Sequence, residues 1–220
     1  MRLLMVVAAG LLLGGVAAGQ GDNFNRPDGT NMGPNWNEVS GDWRIENEMA
    51  RSQPTGFTDL MTFNGYNSTQ PYVEAEVYYL GSARVTYAAL VSRYLNLSNN
   101  LFIKVQDNNS NGDFERVFFY YGNNGGAWAG MTGGNYYQDV TPFVKARIWT
   151  VVSGTDITLN IDRDMNGVPE DILTRGNFPT ANLGDVVGLG GYNNATFDNF
   201  LVPEPASICL LGLVALLRRR

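Results

Sequence analysis

Tyr72-Val73-Glu74-Ala75-Glu76-Val77-Tyr78 decides the fold class. In an extended chain Val73, Ala75 and Val77 share one face, and Glu74 and Glu76 share the other. A period of two is the mark of a strand with one side in a core and one in solvent. Similar segments recur on both sides, at 36–39, 43–46, 85–91, 101–106, 117–121, 146–152, 157–161, 186–189 and 197–202. Ser40-Gly41-Asp42, Ser153-Gly154 and Asn193-Asn194 lie between them and suit tight or left-handed turns. Between the two ends no segment sustains a 3.6-residue apolar period. Short strands without helices predict an all-β, antiparallel β-sandwich or jelly roll. With no repeat of 20–50 residues and no linker-like stretch, residues 20–202 read as one domain.

Composition removes several function classes. The chain has 220 residues and no histidine, which excludes Ser-His-Asp, Cys-His and His-ligated zinc chemistry. Residues 20–202 hold 20 Asp and Glu against 11 Lys and Arg, a net charge of −9. Nucleic acid is therefore not an expected partner, since binding it needs clustered cations. The only cysteine, Cys209, lies in the C-terminal tail, so the domain must rest on its sheet core rather than on disulfides.

The ends read as addresses. Met1-Arg2, an apolar run to Val16 and small residues at Ala17-Ala18-Gly19 describe a secretory signal peptide over 1–19. At the other end, Val202-Pro203-Glu204-Pro205 precedes twelve apolar residues and Arg218-Arg219-Arg220. A helix of twelve residues spans about 18 Å against a hydrocarbon core of about 30 Å, and the arginines would stay cytoplasmic. This tail, 203–220 with its preceding valine, resembles the PEP-CTERM sorting signal of bacterial exported proteins. The resemblance implies recognition of Pro203, Glu204 and Pro205 by a membrane-embedded exosortase. It also implies transient or lasting anchoring by the apolar helix and Arg218, Arg219 and Arg220, and delivery to the cell surface or extracellular matrix.

The opening Asp22-Asn23-Phe24-Asn25-Arg26-Pro27-Asp28-Gly29 with Trp36 and Trp43, and the closing Gly190-Gly191-Tyr192 with Phe197-Asp198-Asn199-Phe200, resemble concanavalin A-like (laminin-G-like) sandwich domains. The resemblance implies that the first and last strands pair, and that a lectin-like body binds or organises extracellular polysaccharide.

Three features invite chemistry. Asp162, Asp164, Asn166 and Glu170, with Gly167 for a sharp turn, resemble the first half of a calcium loop, although Leu173 stands where a bidentate Glu belongs. Asp107, Asn109, Asn111 and Asp113 repeat the pattern with weaker ligands and Phe118 at that position. Both loops also fit a plain Asp/Asn/Gly hairpin turn. The Gly/Asn-rich stretch 120–137 carries Trp128, Tyr136 and Tyr137, which fit either a sugar-stacking platform or an aromatic plug at one end of the sandwich. Glu74 and Glu76 stand about 7 Å apart on one strand face. The stretch lacks the third acid of the Glu-x-Asp-x-x-Glu strand of related glucanases, and a solubilising role suits the pair better than catalysis. The expected protein is thus an exported, non-enzymatic polysaccharide binder, with a calcium-stiffened structural spacer as the rival and a glycoside hydrolase as the remoter one.

Overall fold

The computed structural model describes residues 20–53, 59–80, 85–122, 129–130 and 137–202. They form two eight-stranded antiparallel sheets face to face, and no helix occurs among them. The first sheet runs β14 (Asp171–Arg175), β13 (Asp156–Asp162), β12 (Lys145–Ser153), β6 (Tyr72–Tyr79), β16 (Ala195–Val202), β4 (Met49–Ser52) and β3 (Trp43–Glu46). Its eighth strand, β1 (Gln20–Asp22), pairs with the end of β16. The second runs β10 (Ala129–Gly130), β9 (Phe114–Gly122), β8 (Asn99–Gln106), β7 (Tyr87–Asn96), β15 (Val186–Tyr192), β5 (Asp59–Asn67) and β2 (Trp36–Ser40), with β11 (Tyr137–Phe143) also on β9. The protein is an antiparallel two-sheet sandwich.

β6 behaves as its alternation dictates. Val73, Ala75 and Val77 are fully buried and face the other sheet, while Glu74 and Glu76 stay half-exposed on the outside. Val73, Ala75 and Val77 join Ile148, Leu159 and Ile161 in one core with Leu90, Ile103, Val117, Phe119 and Leu189 of the second sheet. Each of these side chains other than Ala75 contributes about 1.5–3 kcal/mol on burial. At one end Phe24, Trp36, Phe63 and Phe200 meet with ring centroids 4.8–5.6 Å apart. The Trp36 indole N–H donates to Asp22 Oδ2 at 2.8 Å. The first and last strands do pair, Gln20 opposite Val202. The opening and closing motifs therefore lock onto one another.

Several strands escape the period-two reading. β5 carries Asn64-Gly65, which looks like a turn, yet Gly65 (φ +92°) sits in a bulge where the β15 partner shifts from Asn67 to Phe63. β11 contains Pro142 and is accordingly an edge strand, paired only with β9. β4 and β14 are only four and five residues long, too short for alternation to register. The signal segment 1–19, the tail 203–220, Trp128 and Tyr136 lie outside the described residues.

Candidate functional site

Because strand neighbours share a face, the registers assign the outer side of the second sheet residue by residue. From β9 to β15 it presents Arg116, Phe118 and Tyr120, then Phe102, Lys104 and Gln106, then Tyr87, Ala89 and Val91, then Gly188, Gly190 and Tyr192. Tyr137 continues it on β11, opposite Phe118. This side holds a second apolar cluster, separate from the inter-sheet core, built on Leu60, Tyr87, Ala89, Val91 and Phe102, with Tyr120 and Tyr192 half-buried against it. The rings are ordered by mutual contact. Tyr87 stacks on Tyr192 at 5.6 Å and meets Phe102 edge-on at 6.0 Å, and Phe118 stacks on Tyr120 at 5.8 Å. Phe102 lies directly on the β15 backbone, since a Cβ at Gly190 would come within 2.4 Å of its ring. The glycine thus lets the aromatic surface sink into the sheet.

On this face Tyr87, Phe102 and Phe118 are buried, and Tyr120, Tyr137 and Tyr192 are the rings that stay partly exposed. The sequence reading placed its platform at Trp128, Tyr136 and Tyr137. Of these only Tyr137 is described, and it joins the face at its edge, 5.8 Å from Phe118 and beneath the Arg116 guanidinium at 4.6 Å. Tyr87, Phe102, Tyr120 and Tyr192 were missed. One signal was available: Phe118-Phe119-Tyr120-Tyr121 in a strand must send two aromatics to each side.

The two acidic loops are the same device built twice. Each reads Asp-x-Asp/Asn-x-Asn-Gly-x-x-Glu, one joining β8 to β9 and the other β13 to β14. Ser110 and Met165 are left-handed (φ 61° and 57°), as are Gly112 and Gly167 (101° and 88°). The closing Glu accepts the amide N–H just after the first Asp at 2.7 Å, Asn108 to Glu115 and Arg163 to Glu170. Asp107 and Asp162 are both fully buried.

The loops differ in what the first carboxylate has left to give. Asp107 Oδ1 accepts the amides of Asn109, Ser110 and Asn111 at 3.2, 2.6 and 3.3 Å. Its Oδ2 accepts the Gly112 amide at 3.1 Å and the Tyr79 hydroxyl at 2.8 Å. Five donors saturate a carboxylate that offers about four lone-pair directions. Asp162 accepts one amide per oxygen, Asn166 at 3.1 Å and Gly167 at 2.7 Å, so each oxygen retains a free direction. Asp162, Asp164 and Glu170 each place a carboxylate oxygen within 4.8 Å of the others. That spacing matches oxygens across a calcium ion, with metal–ligand distances of about 2.3–2.6 Å. Asp164 also accepts the Asn166 side-chain amide at 2.8 Å. Leu173 and Phe118, at the position of the bidentate Glu, are buried strand residues, so Glu170 is the closing acid the fold supplies.

Glu74 and Glu76 lie on the first sheet, away from the aromatic face. Glu74 accepts from the Tyr72 hydroxyl and lies 3.4 Å from Arg147 Nε, and Glu76 accepts from the Tyr78 hydroxyl at 2.6 Å. They are tethered rather than freely solvated, and burial together with the adjacent carboxylates pushes both phenols up.

Comparison with known proteins places this architecture. No family model matches the sequence, and no curated protein matches it. Solved structures do match. A carbohydrate-binding module, CBM66 from Bacillus subtilis, is 16% identical over 81% of this chain and all of its own, with a TM-score of 0.52. The exoplasmic/lumenal domain of VIP36 in its Ca2+-bound form is 12% identical, covering 83% of this chain and 88% of that one, with a TM-score of 0.56. The laminarinase from Rhodothermus marinus is 9% identical, covering 84% and 96%, also with a TM-score of 0.56. At such identities the likeness is one of fold: this chain shares the two-sheet sandwich of these three proteins.

Proposed function

We propose that this chain is an exported surface or matrix protein whose sandwich binds extracellular polysaccharide on the outer aromatic face of the second sheet, without cleaving it. The observation that carries the reading is the pair of partly exposed rings, Tyr120 and Tyr192, packed over the buried Tyr87, Phe102 and Phe118 on that face. Flat, partly exposed rings suit the C–H faces of sugar rings. Carbohydrate-binding proteins among the fold neighbours support the same choice. Glycoside hydrolysis needs two carboxylates about 5–10 Å apart across the substrate, and the positions described from β9 to β15 on this face include none.

In this reading Asp162, Asp164, Asn166 and Glu170 hold calcium, which would neutralise their charge and fix the β13–β14 hairpin. That loop belongs to the first sheet, so the ion serves as a stiffener rather than a sugar contact. The Asp107 loop needs no ion, because its own amides occupy the carboxylate. Pro203, Glu204, Pro205 and the arginines 218–220 remain the proposed exosortase signal. The pairing of Gln20 with Val202 is consistent with both addresses leaving from one end of the sandwich.

A polysaccharide array probed with residues 20–202, which hold every described strand, tests the binding. Retention that falls in Tyr120→Ala and Tyr192→Ala supports it. A flat array combined with a calcium-dependent melting shift would instead favour the spacer. Release of reducing sugar would revive the hydrolase. Fusing the last nineteen residues to a secreted reporter tests sorting, and unchanged reporter localisation in a host with an exosortase would refute it.

A further inference from the structure

Lys104 occupies the middle of the aromatic face, between Phe118 of β9 and Ala89 of β7 in the registers. Its ammonium lies 4.5 Å from the Tyr87 ring centroid, 4.6 Å from Phe118 and 5.2 Å from Tyr120. The seven ion pairs among the described residues are all made by arginines. Among the described residues Lys104 has only rings for company, in a domain with 20 carboxylates. Such rings return to a cation less than its lost hydration, and burial accordingly brings the amine down to about 8. A platform for neutral sugars has no use for a poorly solvated cation at its centre. An arriving anion would supply what the cation lacks, through a short charge-assisted hydrogen bond in a weakly screened setting. Arg116, next to Gln106 on the same face, adds a second positive group, shared with Asp139 at 2.6 Å.

We propose that Lys104, itself partly exposed, is an anion subsite, receiving the carboxylate or sulfate of an acidic sugar whose ring lies against Tyr120 and Tyr192. The inference rests on the polysaccharide reading of this face and narrows it to acidic polymers. The full-length chain in mild detergent is assayed on immobilised polyuronate, on a sulfated polysaccharide, and on neutral glucan, xylan, fructan and mannan. Wild type should retain at least one acidic polymer over every neutral one, and the preferred acidic arm identifies carboxylate or sulfate. Lys104→Met should lose that retention about tenfold, while Lys104→Arg keeps most of it. As a check independent of any variant, raising salt from 50 to 500 mM should weaken wild-type binding to the acidic polymer and leave neutral binding unchanged. Binding to neutral polymers alone, or acidic binding indifferent to both Lys104→Met and salt, overturns the inference and leaves the polysaccharide reading standing. Binding to no polymer by correctly folded protein overturns both.

Discussion

Asp107→Asn isolates the claim that one of the two acidic loops is closed by its own backbone. The substitution keeps shape and volume but exchanges one acceptor oxygen for an NH2 group. If the remaining oxygen keeps the amides of Asn109, Ser110 and Asn111, the new NH2 faces the Gly112 amide and the Tyr79 hydroxyl. The hydroxyl can rotate and accept, but the Gly112 N–H cannot. One charge-assisted bond is lost, at about 1.5–3 kcal/mol, and three others weaken as the charge disappears. A net loss of about 2–3 kcal/mol lowers the melting temperature of a domain this size by roughly 5–10 °C. Tyr79→Phe, which removes a single donor, should cost about 1 kcal/mol. Combined with Asp107→Asn it should cost less than the sum, because both touch one bond. The assay is thermal and urea unfolding of all four proteins, each in calcium and in EDTA. A melting point for Asp107→Asn within a degree of wild type would refute the reasoning. So would a loss that appears only in calcium, since the loop would then be a metal site and not a self-satisfied turn.

The companion loop should behave oppositely. Millimolar calcium should raise the wild-type melting temperature, with a gain approaching about 2.7 kcal/mol at a hundredfold excess over Kd, and Asp164→Ala should abolish the gain while barely changing the EDTA melt. Gly188→Ala should cost about 2 kcal/mol or more in urea unfolding, because its Cβ would lie 2.1 Å from the Met61 carbonyl oxygen, a backbone atom that cannot swing aside. Asp198 lies opposite Glu76 in the β16–β6 register, and burial, then the charges of Glu76, Glu48 and Asp22, holds its carboxyl above its ordinary 3.8. A raised carboxyl binds its proton more tightly in the folded state, so its share of stability is present below 3.8 and lost as pH rises through the folded value. Asp198→Asn should therefore stabilise at pH 7 by about 0.2–1 kcal/mol, and the difference should vanish in melts near pH 3.

Alternation by itself determined the class of architecture and most of its strands. A residue at i and one at i+2 share a face in any extended chain, so Val73, Ala75 and Val77 had to point together whatever lay across from them. Turn chemistry was equally local: Asn193 and Asn194 take φ of 52° and 68° between β15 and β16 because asparagine tolerates that region. The same locality let the Asp162 and Asp107 motifs be read, but not told apart. What separates them is the Tyr79 hydroxyl, 28 residues from Asp107 in the chain, together with the number of amides each loop turns inward. The aromatic face was out of reach for a related reason. Tyr87, Phe102, Tyr120 and Tyr192 sit on four strands, and they become one surface only when the registers of β7, β8, β9 and β15 are set by packing against the other sheet. Sequence dictates which way each side chain points along its own strand, and only the folded sheet decides whose neighbour it becomes.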